Sequence, residues 1–301
     1  MHELRYVVDA AMDGRLLRAA AMEGLRMSYG QFKSAKFHGE VLLDGERAFA
    51  NTRVRAGQVL LVRVPESENT QPAPCALALC VAYEDDDLLA VVKPAPLASA
   101  SSAHQGGVTL ENVVYTYLRC PDGFVYRPVN RLDKGTSGLM LVAKNAHIQQ
   151  LLQQSLHSDA FVREYLAVVE GAPKAPEGVI DLPIGKAEGA TIRREVRENG
   201  KPARTRYRVL QTGNGRSLVR LRLDTGRTHQ IRVHMRAAGC PVAGDFLYGA
   251  ELAELSGRFA LHSAYLRLRH PITGRELELQ SPLPPELDAL LGANRTNCEK
   301  D

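Results

Sequence analysis

The stretch VNRLDKGTSGLMLVAKN, from Val129 to Asn145, joins a polar loop to an apolar run. Arg131 and Asp133 lie two positions apart in the loop, and the run GLMLVA that follows predicts a buried strand. An aspartate before Lys-Gly is a common turn residue, and an isolated Arg-x-Asp pair is typically a weak surface ion pair. The loop alone therefore leaves a structural and a functional interpretation open.

Length and composition indicate a globular protein with one large domain and an appendage, or with two domains. The chain has 301 residues, of which 45% are hydrophobic and 24% are charged. The N-terminus lacks the apolar run of a signal peptide, and no segment approaches the roughly 18 apolar residues of a membrane helix. We therefore expect a cytoplasmic protein without a membrane partner.

The cysteines and histidines predict neither a disulfide framework nor a metal site. The five cysteines are odd in number, scattered and without C-x-x-C spacing, which favours reduced thiols. His229 and His234 are five positions apart, so a helix would not place them on one face as it places the i, i+4 pair of a metalloprotease. We predict no metal.

Basic residues cluster in one part of the chain. The formal net charge is only +4, but between Lys201 and Arg236 ten Lys or Arg residues stand against the single acid Asp224. Such a cluster is typical of a surface that binds a polyanion. A strand that alternates polar and apolar residues, as ARTRYRV does, also produces a solvated charged sheet face. Both interpretations remain open from the sequence.

Residues 1–65 predict a small α/β domain. GRLLRAAAMEGL has a helical apolar stripe, and SYGQFKSAKFHG predicts a second helix with Ser28 as N-cap and Gly39 at its end. EVLLDGERAFANTRVRAGQVLLVRV then predicts short strands broken at Asp44-Gly45 and Ala56-Gly57. Two short helices followed by a strand-rich segment are thus expected.

This N-terminal segment resembles the small RNA-binding domain first described in ribosomal small-subunit protein S-four. The stretches VLLDGE and RAGQ carry the resemblance. It would place Arg26, Ser28, Lys33 and Lys36 on the nucleic-acid face, whereas without it they are ordinary solvated helix residues.

The rest of the chain predicts a linker, a larger domain and a tail. PESENTQPAP, rich in Pro and Ser, indicates a linker at residues 66–76. From 77 to 291, strands such as TRYRVLQT and RSLVRLRLD accompany two helices, one capped by Asn145 and the other by Thr228. We predict an α+β catalytic domain with a mainly antiparallel mixed sheet, followed by a flexible tail at 292–301.

Several motifs of this domain occur together in the RluA-type pseudouridine synthases. NRLDKGTSGLMLVAKN resembles their H-R-L-D-x-x-T-S-G-L-L-L-x-A-K motif. Similar to further family motifs, and in the family's order, are YEDDDLLAVVKPA, REYLAVVEG, GKPARTRYRVL, TGRTHQIRVHMRAAGCPVAGDFLYG and FALHSAYLRLRHPITG. Two positions depart from the pattern: Asn130 replaces the histidine of many members, and Pro96-Leu97-Ala98-Ser99 replaces a glycine and a short His-Pro segment.

The resemblance implies an enzyme that isomerises uridine in structured ribosomal or transfer RNA to pseudouridine, after flipping the base out of its stack. It makes Asp133 the nucleophile, Arg232 the cation beside it, and Tyr165 the stacking platform and candidate general base. Attack on the base, attack on the sugar, and stabilisation of a glycal-forming cleavage all remain open. The reaction needs no cofactor, because isomerisation involves no net redox change and no energy input.

The resemblance also makes Arg131 the residue that fills the space of the flipped nucleotide or holds its phosphate. Arg163, Arg227, His229 and Gln230 are further predicted phosphate or base contacts. We expect a monomer whose partner is RNA. The alternative is a non-catalytic RNA-binding or ribosome-assembly protein on the same scaffold, but the presence of all three residues assigned to catalysis favours the enzyme.

Overall fold

The computed structural model describes residues 2–64, 71–101, 106–156 and 158–298. The chain divides into two compact units: an N-terminal unit of Met1–Gln71, Pro121–Arg127 and Lys144–Leu151, and a C-terminal unit of Pro72–Cys120, Pro128–Ala143 and Leu152–Asp301. Residues 65–70, in and beside the predicted linker, and 299–301 of the predicted tail lie outside the described residues. The predicted domain boundaries therefore stay predictions.

The N-terminal unit is built on a four-stranded antiparallel sheet and two helices. Its elements are β1 (His2–Val7), α1 (Leu17–Gly24), α2 (Tyr29–His38), β2 (Glu40–Leu43), β3 (Glu46–Arg47) and β4 (Val59–Val64). The strand order is β1-β4-β2-β3. Phe32 and Ala35 of α2 share one apolar core with Val41, Leu60 and Val62 of the sheet. Burial of these side chains is what holds so small a unit together.

The predicted order of this unit was wrong in one respect, because a strand precedes the two helices. β1 pairs with β4 along its length, from His2 opposite Val64 to Val7 opposite Val59. The segment HELRYV alternates, but it carries only one buried side chain, Leu4, among the described positions 3–7. A segment with so short a pattern forms a strand because it pairs with β4, which lies more than fifty residues later in the chain.

The predicted start and end of α2 are confirmed. The Ser28 hydroxyl accepts the Gln31 N–H, and the Gln31 side-chain oxygen accepts the Ser28 N–H, each at 3.1 Å. This reciprocal pair is a capping box, which satisfies two backbone donors that the helix itself leaves free. Gly39 follows the last helical residue, and its N–H donates to the Ala35 carbonyl.

The C-terminal unit contributes the remaining strands. These are β5 (Cys80–Glu84), β6 (Leu88–Lys93), β7 (Ser137–Ala143), β8 (Phe161–Glu170), β9 (Glu177–Asp181), β10 (Ile184–Lys186), β11 (Arg194–Val196), β12 (Arg204–Gly213), β13 (Arg216–Leu223), β14 (Leu261–Arg269), β15 (Glu276–Gln280) and β16 (Thr296–Asn297). The later helices of the chain are α3 (Leu110–Tyr117), α4 (Ala146–Ser155), α5 (Gln230–Ala237) and α6 (Pro285–Asp288).

Ten of these strands form one mixed sheet, and the predicted fold class is confirmed. The order is β16-β12-β13-β8-β14-β7-β6-β5, with β9 beside β12 and β15 beside β14. The β7–β14 pair is parallel, and the other described pairs of this sheet are antiparallel. β10 and β11 form a separate hairpin. The Asp133 loop leads directly into β7, which lies between β14 and β6 in the sheet.

Gly138 allows β7 to lie unusually close to β14. Its φ is +109°, and a Cβ atom added there would lie 2.3 Å from the Ser263 carbonyl oxygen and 2.5 Å from the Ser263 nitrogen. Both the dihedral angle and the contact exclude a side chain at this position. The glycine therefore permits the short distance between β7 and its parallel neighbour β14.

The helix predicted to begin after Thr228 begins later. α5 starts at Gln230, and His229 occupies the N-cap position with a left-handed backbone, φ +60°, and no side-chain cap hydrogen bond. The prediction relied on the preference of Thr for N-caps, but the turn before α5 is held instead by the side chain of Gln230. The predicted end is confirmed, since Gly239 adopts φ +82° just after the helix.

The arginines of β12 lie on the sheet face opposite to Tyr165. In the β12–β13 register Arg206 lies across from Arg222, while the next residue of β13, Leu221, lies across from Tyr165 of β8. Because successive side chains of a strand point to opposite faces, Arg206 and Tyr165 belong to different faces.

Acidic residues from neighbouring segments neutralise much of this basic face. Arg206 lies 3.0 Å from Asp224, and Arg208 lies 2.8 Å from Glu177 of β9. These arginines are more than half exposed, so each pair is weak, but each pair neutralises one positive charge of this face. Between the two interpretations of the basic cluster, the geometry of β12 favours the solvated sheet face.

The described part of the chain contains neither a candidate membrane span nor a candidate metal cluster. No helix in it has both the length and the apolar character that a bilayer crossing requires. Within the same ranges, no group of three or more His, Cys, Asp or Glu side chains could hold a metal ion.

Candidate active site

One cleft of the C-terminal unit gathers the residues that the sequence analysis singled out there. Its volume is about 580 Å³, large enough for a nucleobase and part of its sugar. The cleft is lined by all eight predicted site residues of this unit, Arg131, Asp133, Arg163, Tyr165, Arg227, His229, Gln230 and Arg232. These residues come from the Asp133 loop, from β8 and from the start of α5, which are far apart in sequence.

The Asp133 loop is anchored by the two positions that depart from the family pattern. The Asn130 side-chain oxygen accepts the Leu141 N–H of β7 at 2.8 Å. The Ser99 hydroxyl donates to the Leu132 carbonyl at 2.5 Å and accepts the Leu132 N–H at 3.1 Å. Asn130 and Ser99 are both buried, so these hydrogen bonds are protected from water. Asn130 and Ser99, although they differ from the family pattern, therefore hold the Asp133 loop in place before β7.

Asp133 and Arg232 form the ion pair predicted at the centre of the cleft. Arg232 Nη1 lies 2.9 Å from Asp133 Oδ2. The Asp133 side chain is 28% exposed, whereas the Arg232 side chain is 4% exposed. The carboxylate therefore faces the cleft, and the guanidinium supports it from within the protein.

Asp245 is a second partner of Arg232, which the sequence analysis did not identify. It is fully buried and accepts from Arg232 Nε at 2.6 Å and from Nη2 at 2.8 Å. Burial alone would lower the pKa of Arg232, but the hydrogen bonds and charges of Asp245 and Asp133 raise it above its ordinary value. The fork-shaped pair with Asp245 fixes the plane of the guanidinium and so aims Nη1 at Asp133.

Two aromatic rings enclose the Arg232 guanidinium. Its central carbon lies 4.0 Å from the Phe259 ring centroid and 4.9 Å from that of Tyr248. Both contacts are within the range of cation–π attraction, which grows when water is excluded. The two rings therefore stabilise the charge and the position of the Arg232 guanidinium where water is excluded.

His229 lies beside the same carboxylate. Its Nε2 is 3.8 Å from Asp133 Oδ2, and its Nδ1 is 2.8 Å from the Tyr248 hydroxyl. Burial lowers the pKa of His229 below its ordinary value, although the charge of Asp133 opposes this. The imidazole is therefore neutral at physiological pH.

Tyr165 and Arg163 emerge from β8 on the cleft side. Both are buried, with 6% and 5% of their surface exposed. Burial raises the pKa of Tyr165, and the nearby charge of Arg163 partly counteracts this. The phenol is thus protonated in the resting site, and such a side chain has both a ring face that can stack and a proton that can be transferred.

Lys93 is a further buried cation near Asp133 that the sequence analysis did not assign. Its ammonium donates to the carbonyl oxygens of Leu97 at 2.7 Å, Pro94 at 3.0 Å and Lys134 at 3.4 Å. Burial lowers the pKa of Lys93 to about 7, with the charge of Asp133 opposing that shift. The side chain ties the end of β6 to the residue that follows Asp133.

Gln230 supports the turn before α5 rather than facing solvent. It is 2% exposed, and its oxygen accepts the Arg227 N–H at 3.0 Å and the Thr225 hydroxyl at 2.9 Å. Its nitrogen donates to the Arg204 carbonyl and the Thr205 hydroxyl, both at 3.0 Å. The amide is fully used inside the protein, and its predicted RNA contact stays a prediction.

The other predicted contacts are more accessible. Arg131 is exposed at the rim of the cleft, and no described residue forms an ion pair with it. Arg227 is half-buried, and its Nε donates to the Pro202 carbonyl at 2.9 Å. A guanidinium with unused donors at the mouth of a cleft is suited to a phosphate.

The residues predicted in the N-terminal unit lie at the start of α2 and along it. Arg26, Lys33 and Lys36 are exposed, and the Lys36 ammonium lies 5.0 Å from the ring centroid of the exposed Phe37. Ser28 is half-buried and its hydroxyl caps α2, as described above. This surface combines positive charge with an aromatic ring, a composition typical of single-stranded nucleic-acid binding.

The described residues that line the cleft include a single carboxylate, that of Asp133. A glycoside hydrolase requires two carboxylates that flank the scissile bond. Asp133 faces the cleft, but Asp245, its neighbour across Arg232, is fully buried and engaged in four hydrogen bonds. The fold and the cleft therefore fit a class of enzyme whose site has one accessible aspartate beside a buried arginine, and not a hydrolase with two carboxylates.

Comparison with known proteins gives the family. The model of the RNA pseudouridylate synthase family matches residues 87–237. A ribosomal large subunit pseudouridine synthase D of Xanthomonas campestris is 38% identical over 278 residues, 87% of this chain and 83% of that protein. The protein of the same name from Vibrio cholerae is 35% identical to this chain over 309 residues, which cover 97% of this chain and 95% of that protein. The chain belongs to the RNA pseudouridylate synthase family, and it is an enzyme that isomerises uridine in RNA to pseudouridine.

Solved structures agree with this assignment. Human RNA pseudouridylate synthase domain containing 1 superposes with a TM-score of 0.60 at 28% identity, covering 74% of this chain and 91% of that one. The human domain containing 4 protein gives 0.56 at 25% identity, covering 70% and 91%. The predicted family, fold class and reaction are thereby confirmed.

Proposed function

We propose that this enzyme modifies ribosomal RNA of the large subunit, with Asp133 as its nucleophile, Arg232 as the supporting cation and Tyr165 as the stacking and proton-transferring group. The names of the bacterial relatives, which cover most of the chain, support the choice of RNA. Work on ribosomal RNA would take place in the cytoplasm. The observation that carries the assignment of roles is the Asp133–Arg232 pair at the wall of the cleft.

The reaction makes specific demands on such a site. The bond between N1 of uracil and C1′ of ribose breaks, the base turns, and a bond forms between C5 and C1′. A proton leaves C5 and one is added at N1, so the atoms and electrons of product and substrate balance. The base must leave its stack, at a cost of a few kcal/mol that is smallest in loops or distorted duplexes. A carboxylate that forms a covalent intermediate divides this rearrangement into easier steps.

Asp133 is suited to this task because the guanidinium of Arg232 lies beside it, 2.9 Å from its Oδ2. A carboxylate beneath a neutral base loses much of its hydration, which disfavours its charged form unless a cation stands beside it. Arg232 is held by Asp245 and does not depend on Asp133 for its position. The carboxylate can therefore leave its ion pair to react without disordering the cation.

The choice of RNA is tested by mapping pseudouridines in total RNA from cells with and without the gene. We expect defined sites in large-subunit ribosomal RNA to disappear on deletion and to return with the wild-type gene, but not with a gene for Asp133→Asn. Sites that disappear from transfer RNA instead would contradict the proposed substrate and leave the assignment of Asp133 untouched.

Replacing Tyr165 with Phe is expected to lower kcat by about a hundredfold and to leave RNA affinity nearly unchanged, because the ring remains and the proton-transferring hydroxyl is lost. Single-turnover tritium release from labelled uridine measures the first quantity, and filter binding measures the second. Tyr207→Phe, which removes a hydroxyl from half-buried Tyr207 of β12, is the matched control and should be fully active. An undiminished kcat in Tyr165→Phe would restrict this residue to stacking.

We further propose that the basic face of α2 contacts RNA outside the cleft. The double change Lys33→Glu and Lys36→Glu should weaken binding and lower the slope of log Kd against log salt, which is roughly 0.7 for each neutralised phosphate of single-stranded RNA. The kcat on saturating RNA should not change. A salt series of dissociation constants measures the effect.

The control for this experiment is a charge reversal of equal size on β12. Arg206→Glu with Arg208→Glu changes the same number of charges on the face that lies opposite to Tyr165. We expect its dissociation constants to superimpose on those of the wild type. Equal loss in both double variants would indicate a general effect of net charge and would contradict a specific contact through α2.

A further inference from the structure

We propose that Tyr248 and His229 form a positioning pair that holds one oxygen of Asp133, so that the other oxygen, Oδ1, is presented to the substrate. This inference rests on the proposed role of Asp133. It concerns His229, which was predicted to contact RNA, and Tyr248, to which the sequence analysis assigned no role, and it gives both a function through Asp133.

The directions of the two hydrogen bonds of the Tyr248 hydroxyl follow from its neighbours. The hydroxyl accepts the backbone N–H of Arg194 at 2.8 Å, since a backbone N–H can only donate. His229 Nε2 faces the Asp133 carboxylate, which can only accept, and this favours the tautomer with the proton on Nε2. In that tautomer Nδ1 is an acceptor and takes the hydroxyl proton of Tyr248, 2.8 Å away. Tyr248 and Asp133 thus favour the same tautomer of His229.

The selected proton points to the carboxylate. His229 Nε2 lies 3.8 Å from Asp133 Oδ2, the same oxygen that Arg232 binds at 2.9 Å. At 3.8 Å the contact is electrostatic rather than a hydrogen bond, and such contacts commonly shorten when substrate closes a site. No described residue donates a hydrogen bond to Oδ1 of Asp133. With Arg232 hydrogen-bonded to Oδ2 and His229 facing the same oxygen, Oδ1 is left as the atom available to react.

The backbone of His229 indicates that its place is specifically maintained. Its φ of +60° is left-handed, a conformation that costs free energy in a residue with a side chain. The following turn is locked by the buried Gln230 amide, which holds the Arg227 N–H. An ordinary helix start would relax this dihedral angle, and would then turn the imidazole away from its present position between Tyr248 and Asp133.

The Tyr248 ring and its hydroxyl have separable roles. The ring lies against the Arg232 guanidinium, 4.9 Å from ring centroid to guanidinium carbon, and it is buried. Tyr248→Phe keeps that ring and its packing and removes only the group that directs His229. A purely structural role of Tyr248 would therefore survive this substitution.

The test is a double-mutant cycle on the full-length enzyme, with single-turnover kcat and KM measured on its RNA substrate. Tyr248→Phe and His229→Ala should each lower kcat on the order of tenfold, with KM changed less than about twofold, because orientation of the nucleophile matters in the transition state. The double variant should be no slower than His229→Ala alone, because the hydroxyl acts through the imidazole.

A conservative variant and a control complete the experiment. In His229→Gln the amide nitrogen can replace Nε2 as donor to Asp133, so this variant should retain more activity than His229→Ala and should be insensitive to Tyr248→Phe. Tyr117→Phe removes a hydroxyl that binds Glu84 outside the cleft and should leave kcat unchanged. These variants separate loss of the directed proton from loss of a tyrosine hydroxyl in general.

The outcomes are distinct. A raised KM with unchanged kcat in His229→Ala would mean that the imidazole contacts RNA directly, and it would overturn the positioning role. Additive effects of the two substitutions would also overturn it. Asp133→Asn is measured beside them: an active Asp133→Asn would contradict the nucleophile itself, whereas an inactive one with a fully active Tyr248→Phe would contradict only the positioning pair.

Discussion

Asp133→Asn is expected to lower kcat by at least about a thousandfold, because the substitution keeps the volume of the side chain and removes its nucleophilic charge. RNA binding should be nearly unaffected. Tritium release from RNA labelled at uridine C5 measures the loss, since the proton at C5 leaves during the reaction.

The fold should tolerate this substitution for a structural reason. Removing one partner of a buried ion pair usually leaves an uncompensated charge and costs several kcal/mol. Here Arg232 retains its fork-shaped pair with Asp245, so the free energy of unfolding should change by less than about 1 kcal/mol. Asp159→Asn, at an exposed acid 3.6 Å from Arg222, is the matched control and should be fully active. Turnover of Asp133→Asn within about tenfold of the wild type would contradict the assigned role.

Asp245→Asn is expected to lower the free energy of unfolding by about 3 kcal/mol, because Asp245 is fully buried and accepts two hydrogen bonds from Arg232. The new amide presents a donor to a guanidinium that itself only donates. With its plane no longer fixed, Arg232 should also support Asp133 poorly, and we expect kcat to fall by about a hundredfold.

Chemical denaturation followed by circular dichroism measures this loss, since the chain has no tryptophan for fluorescence. Asp224→Asn removes an acid from the partly exposed pair with Arg206 and should cost less than about 1 kcal/mol. Equal stability losses in the two variants would contradict the view that the Arg232–Asp245 pair is the structural centre of the site.

The sequence predicted the pairing of Asp133 with Arg232 better than it predicted the residues that hold this pair in place. Asp133 and Arg232 are 99 positions apart, and no local pattern connects them. Their pairing was expected only because both lie in long motifs that resemble one family. Asp245 lies in one of those motifs too, but its function depends on the direction of a buried side chain, which spacing and composition do not reveal.

Local patterns were reliable where the cause is local. The cap of α2 at Ser28 and the glycine after α5 follow from backbone chemistry within a few residues. The start of α5 could not be predicted, because a left-handed histidine at the N-cap position goes against residue preferences and is maintained by tertiary contacts. The pairing of the β12 arginines could not be predicted for a similar reason, since one of their acidic partners, Glu177, comes from another strand.

Asn130 gives the loop an anchor that does not titrate. Its side-chain oxygen accepts the Leu141 N–H, where many members of the family carry a histidine. An imidazole that accepts such a bond loses its acceptor when it takes up a proton, at a pH near 6.5 in an unperturbed ring. A carboxamide stays neutral and remains an acceptor across the physiological range. Mild acidification therefore leaves the hydrogen bond between Asn130 and Leu141 of β7 intact, and the loop lacks the pH-dependent anchor that a histidine would supply.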